Sequence, residues 1–202
     1  MSTPPDDRRR AYAALGLLLQ YPEPGHARAF DGVRALMATV PQMHPIAPLL
    51  DWLEQTSTLE AQSHYVELFD RRRRACLYLS YYLNGDTRRR GMALVRFKEL
   101  YAAYGWHAGD AELPDFLPML LQFTAIADLD AGEQVLAGHR AGLEVLAGAL
   151  DGSPFRHAAD VLLELVPTSA SDDHELAMRL IEQGPPTELV GMEFLDGVSV
   201  RG

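Results

Sequence analysis

The sequence predicts an all-α fold, a single-domain helical bundle of about eight to ten helices. Apolar residues recur at helical spacing along most of the 202 residues. No segment alternates apolar and polar residues for long, and no run of β-branched residues lies between turn signals. A hydrophobic content of 48% suits one globular domain without a disulfide framework, and the chain has a single cysteine, Cys76.

The first quarter of the chain predicts three helices, over residues 8–20, 26–40 and 46–55. Asp6 or Asp7 serves as the N-cap of the first helix, and the stretch Tyr21-Pro22-Glu23-Pro24-Gly25 ends it. Pro41 closes the second helix, because proline cannot continue the backbone hydrogen-bond ladder.

The middle of the chain predicts three further helices, over residues 57–69, 75–83 and 87–104. Ser57 and Glu60 have the spacing of a capping box, which marks a helix start. Asn84-Gly85-Asp86 is a turn signal between the second and third of these segments. The longest segment places four apolar residues on much of one face: Met92, Val95, Leu100 and Ala103.

The last part of the chain predicts four helices, over residues 115–128, 130–149, 154–166 and 172–183. Gly184-Pro185-Pro186 ends the last of them. We therefore expect one helical domain over residues 1–184, followed by a loose tail over residues 185–202.

Charge is distributed unevenly along the chain, whose formal net charge is −10. Residues 1–104 carry 14 Lys and Arg against 11 Asp and Glu, whereas residues 105–200 carry 3 against 17. The acidic part attracts cations and basic peptides at long range and repels phosphates. The balance therefore disfavours a general nucleic-acid-binding protein.

The longest apolar run near the N-terminus, residues 11–19, follows three arginines. It is shorter than the roughly 20 residues that span a bilayer. It has no Ala-x-Ala-like cleavage site behind it, so an amphipathic first helix is favoured over a targeting signal. We expect a cytoplasmic protein without stable membrane insertion.

The sequence nominates no catalytic centre. It contains no His-Glu-x-x-His, no phosphate-binding loop, no Gly-x-Gly-x-x-Gly and no Gly-x-Ser-x-Gly. His64 and Glu67 have the spacing of half a carboxylate metal motif, but the second half is missing. Cys76 lies in an apolar stretch and suits the core better than a nucleophile. We expect no enzyme activity, no metal site and no cofactor.

Two arginine runs, at residues 71–74 and 88–90, hold seven of the 18 basic residues. They form either a solvated rim or a docking patch for an acidic partner. Nucleic acid would need stacking aromatics, and the nearby tyrosines at positions 78, 81 and 82 suit core packing better. The docking interpretation leaves open a helical regulatory or scaffold module that binds an acidic protein or nucleic acid.

The stretch ELPDFLPMLLQF, residues 112–123, combines two prolines and two carboxylates at the edge of an apolar run. One interpretation is a helix start with Asp115 as the N-cap and Pro118 at the third position, where no intrahelical N–H bond is lost. The other is a rigid acidic corner, formed with Glu112 and the loop around Trp106, that binds an arginine-bearing amphipathic peptide.

Several short motifs in a fixed order carry a family resemblance. They are Tyr65-Val66-Glu67-Leu68-Phe69-Asp70, Gly85-Asp86-Thr87-Arg88, Gly91-Met92-Ala93 leading to Tyr101, Glu112-Leu113-Pro114-Asp115 and Leu117-Pro118. In order and spacing, over roughly residues 57–128, they resemble the NarJ family. This family comprises the assembly chaperones of respiratory nitrate reductase, within the wider group of twin-arginine redox-enzyme chaperones.

The resemblance implies an all-helical domain without catalysis of its own. Family members bind the N-terminal segment of the molybdenum-containing catalytic subunit, hold the apoenzyme until the molybdenum cofactor is inserted, and delay its docking at the membrane. The implied partner is the N-terminal peptide of the catalytic subunit of a molybdenum-containing nitrate reductase. Molybdenum cofactor delivery proteins are further partners that this role admits.

The resemblance also implies a peptide-binding site. Its residues here are Glu67, Phe69, Asp70, Glu112, Leu113, Pro114, Asp115, Phe116 and Pro118. Many relatives carry histidine at the position of Phe116, so this chain would offer a ring that packs on an apolar peptide face. The four consecutive arginines after Asp70 are a second departure from the family's pattern.

Overall fold

The computed structural model describes residues 3–107, 109 and 111–168, and this part of the chain holds ten α-helices and no β-strand. The helices are α1 Pro5–Leu18, α2 Ala27–Thr39, α3 Ala47–Gln55, α4 Thr58–Tyr65, α5 Leu79–Asn84, α6 Arg88–Ala103, α7 Leu117–Ile126, α8 Leu129–Gly138, α9 Arg140–Ala149 and α10 Arg156–Leu165. The all-α prediction is confirmed. The helix predicted over 172–183 and the tail over 185–202 lie outside the described residues.

Three shorter helical turns complete the chain trace. Pro41–Ile46 and Arg73–Ala75 are 3₁₀ segments, and Val66–Asp70 is a π-helical turn that continues α4. No helix in the part of the chain described above is long and apolar enough to cross a membrane.

Helix α1 begins at Pro5, with Asp6 and Asp7 inside its first turn. The prediction that one of these aspartates is the N-cap is wrong, because proline's fixed φ already suits the first helical position. Helix α1 then packs along α7. The backbones are close at Gly16, where an added Cβ would lie 3.3 Å from the carbonyl oxygen of Pro118.

Local sequence signals placed two helix ends correctly. Ser57 and Glu60 form the predicted capping box at the start of α4, with the Glu60 N–H 3.3 Å from the Ser57 hydroxyl oxygen. Gly85, at φ 55°, ends α5 at the predicted turn. Only glycine adopts such a backbone conformation without strain.

The segment predicted as one helix over residues 130–149 is two helices that meet at His139. The His139 Nδ1–H donates to the carbonyl oxygen of Val135 at 2.8 Å, which satisfies one of the free acceptors at the end of α8. No proline marks this break, so the apolar periodicity runs through it and the prediction of one helix is wrong.

Helix α6 turns a different face to the core than its apolar pattern predicts. Phe97 and Tyr101 are its buried residues. Met92 is 62% exposed and Val95 is 47% exposed, so the predicted inward face is wrong in part. The two aromatic rings, four residues apart, bury more area than the smaller side chains and determine the orientation.

Candidate functional site

One groove brings together four of the nine predicted site residues: Phe69, Asp70, Glu112 and Phe116. Its volume is about 590 Å³. Its described lining residues are Gln20, Tyr21, Glu23, His26, Tyr65, Phe69, Asp70, Leu77, Tyr78, Trp106, His107, Gly109, Glu112, Phe116, Met119 and Gln122. We call this surface the acidic groove, for the charge described below.

Backbone hydrogen bonds hold the loop before α7 at the edge of this groove. Tyr78 and Phe116 form an isolated antiparallel bridge, whose two hydrogen bonds measure 2.7 and 3.0 Å. The hydroxyl of Tyr101 donates to the carbonyl oxygen of Pro114 at 2.7 Å. The loop is therefore attached both to the start of α5 and to the end of α6, which limits its freedom to move.

Asp115 is fully buried. Its Oδ2 accepts from the backbone N–H of Ser80 at 3.1 Å and from the Ser80 hydroxyl at 2.5 Å. Ser80 is the second residue of α5, where an N-cap side chain normally accepts the free backbone N–H. Here Asp115, from another part of the chain, is that acceptor. The prediction that Asp115 caps its own helix is wrong, because this tertiary contact occupies the carboxylate and α7 has Phe116 at its N-cap position.

The two prolines of the stretch are buried supports for the loop. Pro118 lies at the second position of α7, not the third as predicted, and there too its missing N–H removes no intrahelical bond. Leu113 is 42% exposed and lies outside the groove lining. Pro114, Asp115 and Pro118 thus shape the loop from inside, whereas Glu112 and Phe116 face the groove.

The charge of the groove is negative. Glu23, Asp70 and Glu112 are exposed at its rim, and no lysine or arginine occurs among its described lining residues. The Tyr78 hydroxyl donates to Glu112 Oε2 at 2.7 Å. Burial and this hydrogen bond raise the pKa of Tyr78, so the tyrosine remains a donor at neutral pH. The groove therefore favours a cationic ligand.

Aromatic rings form the walls of the acidic groove. The Tyr65 and Phe69 ring centroids are 4.6 Å apart, and those of Tyr78 and Phe116 are 5.4 Å apart. Tyr21, which is 42% exposed, meets Tyr65 edge-on at 5.5 Å. Ring faces beside carboxylates offer apolar contact and a place for a cation together, which is what an amphipathic cationic peptide requires.

The π-helical turn determines which acidic residue of residues 66–70 faces the groove. Its extra residue rotates the residues that follow it by about 100° relative to an α-helix. Asp70 and Phe69 then line the groove, whereas Glu67 forms an ion pair with Arg71 at 3.0 Å on the adjoining surface. The structure thus does not place Glu67 in the groove with the other predicted residues.

Sequence reasoning missed the turn after α1, which contributes Tyr21, Glu23 and His26 to the groove. The turn was interpreted only as a helix stop. The available indication was an acidic residue between two prolines, Glu23, with the aromatic Tyr21 directly before them. Because α1 lies antiparallel to α7, with Gly16 near the start of α7 and Arg9 bonded to Ala125 near its end, the turn arrives beside the loop before α7.

Candidate chemical groups elsewhere have structural partners. His64 packs against Trp52 and Phe155, with its Nε2 3.0 Å from the Ser153 hydroxyl oxygen, and burial lowers its pKa. Burial raises the pKa of the Cys76 thiol, which favours the unreactive protonated form. In the described ranges, no group of three or more His, Cys, Asp or Glu side chains could hold a metal ion.

The arginine runs lie outside the acidic groove. Residues 71–74 are exposed, in line with a solvated rim. Arg90 is instead tied to the protein: it pairs with Asp86 at 3.5 Å, and its guanidinium lies 5.9 Å from the ring centroids of both Tyr78 and Tyr81. Arg90 therefore supports the tyrosine that holds Glu112.

Comparison with known proteins identifies relatives over most of the chain. A family model described as nitrate reductase delta subunit matches residues 38–161, which include all nine predicted site residues. The chain is 31% identical over 163 residues to the nitrate reductase molybdenum cofactor assembly chaperone NarJ of Escherichia coli (strain K12), covering 77% of this chain and 69% of NarJ. It is 34% identical over 150 residues to the nitrate reductase-like protein NarX of Mycobacterium tuberculosis (strain ATCC 25618 / H37Rv), covering 72% of this chain but 22% of NarX.

The fold also has a solved counterpart. A structure described as a redox enzyme maturation protein from Archaeoglobus fulgidus matches with a TM-score of 0.60 and 20% identity, covering 77% of this chain and 91% of that one. At this identity the likeness supports the fold alone. The family model, in contrast, spans more than half of the chain and includes the motifs between residues 65 and 118. The chain belongs to the nitrate reductase delta subunit family, the NarJ family that its motifs predicted.

Proposed function

We propose that this protein is a system-specific assembly chaperone for a molybdenum-containing oxidoreductase, namely a respiratory nitrate reductase. It binds the N-terminal segment of the catalytic subunit and holds the apoenzyme until the molybdenum cofactor is inserted and the enzyme docks at the membrane. It acts in the cytoplasm, without catalysis of its own. The role named for the relative from Escherichia coli supports this proposal.

One observation links the proposed peptide binding to a specific surface. The acidic groove combines three exposed carboxylates with aromatic walls, and no lysine or arginine occurs among its described lining residues. An amphipathic segment that carries arginine or lysine complements both features, with its apolar face on the rings and its cations at the rim.

Within this groove the residues have separate roles. Glu112, Asp70 and Glu23 attract the cationic residues of the client, and Phe116 and Tyr78 contact its apolar face. Asp115, Pro114 and Pro118 are buried, so they act by holding the loop in place.

The test is titration calorimetry with the N-terminal peptide of the host's nitrate reductase catalytic subunit. We expect the double variant Asp70→Arg, Glu112→Arg to lower its affinity by about tenfold or more, because two attractive rim charges become repulsive. The variant Asp31→Arg changes an exposed carboxylate on α2, outside the groove, and is the control.

The control should bind the peptide nearly as well as the unmodified chain. A peptide whose arginines and lysines are replaced by glutamine should bind weakly to all three proteins. Equal affinity of the double variant and the unmodified chain would show that the client segment binds elsewhere and would refute the assignment of the groove.

A further inference from the structure

Helix α6 is poorly covered by the rest of the protein. Of its 16 residues, two are buried, Phe97 and Tyr101, whereas the 10-residue α7 buries six. Met92 is 62% exposed, and Val95, one turn further, is 47% exposed. Large apolar side chains that remain exposed on one helix mark a surface that a partner can cover.

A second groove runs along this helix, with a volume of about 630 Å³. Its lining includes the buried Phe97 and the exposed Met92, together with Leu100, Val135 and His139. The His139 ring is fixed, because its Nδ1–H is bonded to the Val135 carbonyl oxygen and the ring lies 5.6 Å from that of Phe97. The His139 imidazole is therefore held in place beside Phe97.

The charge along this groove is positive. Arg89 and Arg96 line it, both exposed, and no Asp or Glu occurs among its described lining residues. They are seven residues apart on α6, which places them about 10 Å apart along the helix axis. In the described part of the chain Asp86 pairs with Arg90, whereas Arg89 and Arg96 have no ion-pair partner.

We propose that this surface, the basic groove, binds an amphipathic helix of a partner protein that carries acidic residues two turns apart. The apolar face of that helix covers Met92 and Leu100, and its carboxylates pair with Arg89 and Arg96. Charge complementarity selects this occupant, because a cationic segment would be repelled. A single-stranded nucleic acid would need exposed ring faces, and Phe97 is 5% exposed.

The basic groove and the acidic groove share no lining residue. The two surfaces therefore accept segments of opposite charge, and occupation of one leaves the other open. This inference goes beyond the proposed function and does not depend on it, since it follows from the packing and charge of α6 alone.

The test uses the full chain and a fluorescein-labelled helical peptide with leucines on one face and two glutamates seven residues apart, followed by fluorescence anisotropy. A matched peptide has lysines in place of these glutamates. We expect the glutamate peptide to bind and the double variant Arg89→Glu, Arg96→Glu to weaken its binding by about tenfold or more. Met92→Glu, a second exposed change, should weaken it as well.

The control variant Arg72→Glu, Arg73→Glu makes the same change in net charge on exposed residues outside the basic groove. It should retain the affinity of the unmodified chain for the glutamate peptide. The Arg89→Glu, Arg96→Glu variant should still bind the cationic peptide of the acidic groove, which separates failure of this inference from failure of the proposed function.

Four outcomes would overturn the inference. They are no binding of the glutamate peptide, equal binding of the lysine peptide at this surface, equal loss of affinity in the control variant, and occupation of the groove by this protein itself. If a second copy of this protein occupies the groove, sedimentation would detect self-association, and the double variant Arg89→Glu, Arg96→Glu would abolish it. Tighter peptide binding after Asp172, Asp173 and Glu175 are changed to Lys would identify the chain's own C-terminal segment as the occupant.

Discussion

Replacing Asp115 by Ala removes the acceptor that joins the loop before α7 to the start of α5. Both Asp115 and Ser80 are fully buried, so water does not replace the lost partner. The Ser80 N–H, at 3.1 Å, and the Ser80 hydroxyl, at 2.5 Å, both lose the carboxylate oxygen. We therefore expect Asp115→Ala to lower the free energy of unfolding.

The magnitude follows from two opposing contributions. Hydrogen bonds to a charged group contribute about 1.5–3 kcal/mol each, so losing two costs about 3–6 kcal/mol. Removing a buried carboxylate, whose Oδ1 has no protein partner, returns roughly 1–2 kcal/mol of its desolvation cost. The expected net loss is about 1–5 kcal/mol, which corresponds to a decrease in Tm of roughly 2–20 °C for a domain of this size.

Urea unfolding of the full chain, followed by circular dichroism, measures this loss. Ser80→Ala removes the hydroxyl but retains the backbone N–H bond, so it should lose about 1.5–3 kcal/mol, the contribution of one of the two bonds. The double variant Ser80→Ala, Asp115→Ala should lose less than the sum, because the two residues share one interaction. A loss below about 0.5 kcal/mol for Asp115→Ala would refute the reasoning, since the carboxylate would then contribute nothing as a cap of α5.

Three other measurements test the structure. Gly132→Ala should lose about 1–3 kcal/mol of stability, because its Cβ would lie 2.7 Å from the backbone Cα of Thr124, whereas Gly138→Ala meets nothing within 4 Å. Burial lowers the pKa of His64 and of His139, so as the pH falls the unfolded chain binds protons before the folded chain does. The free energy of unfolding should therefore decrease as the pH falls from 7.5 to 5.5, and His64→Phe should make this decrease smaller. Affinity of the acidic groove for a cationic peptide should fall as salt rises from 50 to 300 mM, if rim charges attract it.

The helical fold could be predicted from sequence because most of its signals are local. The Ser57 and Glu60 capping box and the turn at Gly85 act within a few residues, and both are found as predicted. The break at His139 was not predicted, because the bond from its ring to Val135 leaves the apolar periodicity unchanged. The orientation of α6 was not predicted in full either, since it depends on which side chains the rest of the core can accommodate.

The candidate site could be predicted only in part, for a related reason. The motif at residues 112–116 indicated a loop that borders the groove, and Glu112 and Phe116 line this groove. The partner of Asp115 is Ser80, which is 35 positions away, and no local pattern connects them. The turn at residues 21–26 reaches the groove because of how α1 packs along α7, which is also a tertiary effect.

The short bridge between Tyr78 and Phe116 explains why adjacent residues of one motif have different surroundings. Successive side chains of an extended segment point in opposite directions. Asp115 therefore points inward to Ser80, and Phe116, the next residue, lies in the groove wall. Substitutions at Phe116 and Glu112 would change the surface of the groove while the buried contact of Asp115 with Ser80 is retained. The groove surface and the stability of this loop are thus separable, although the residues responsible are adjacent in sequence.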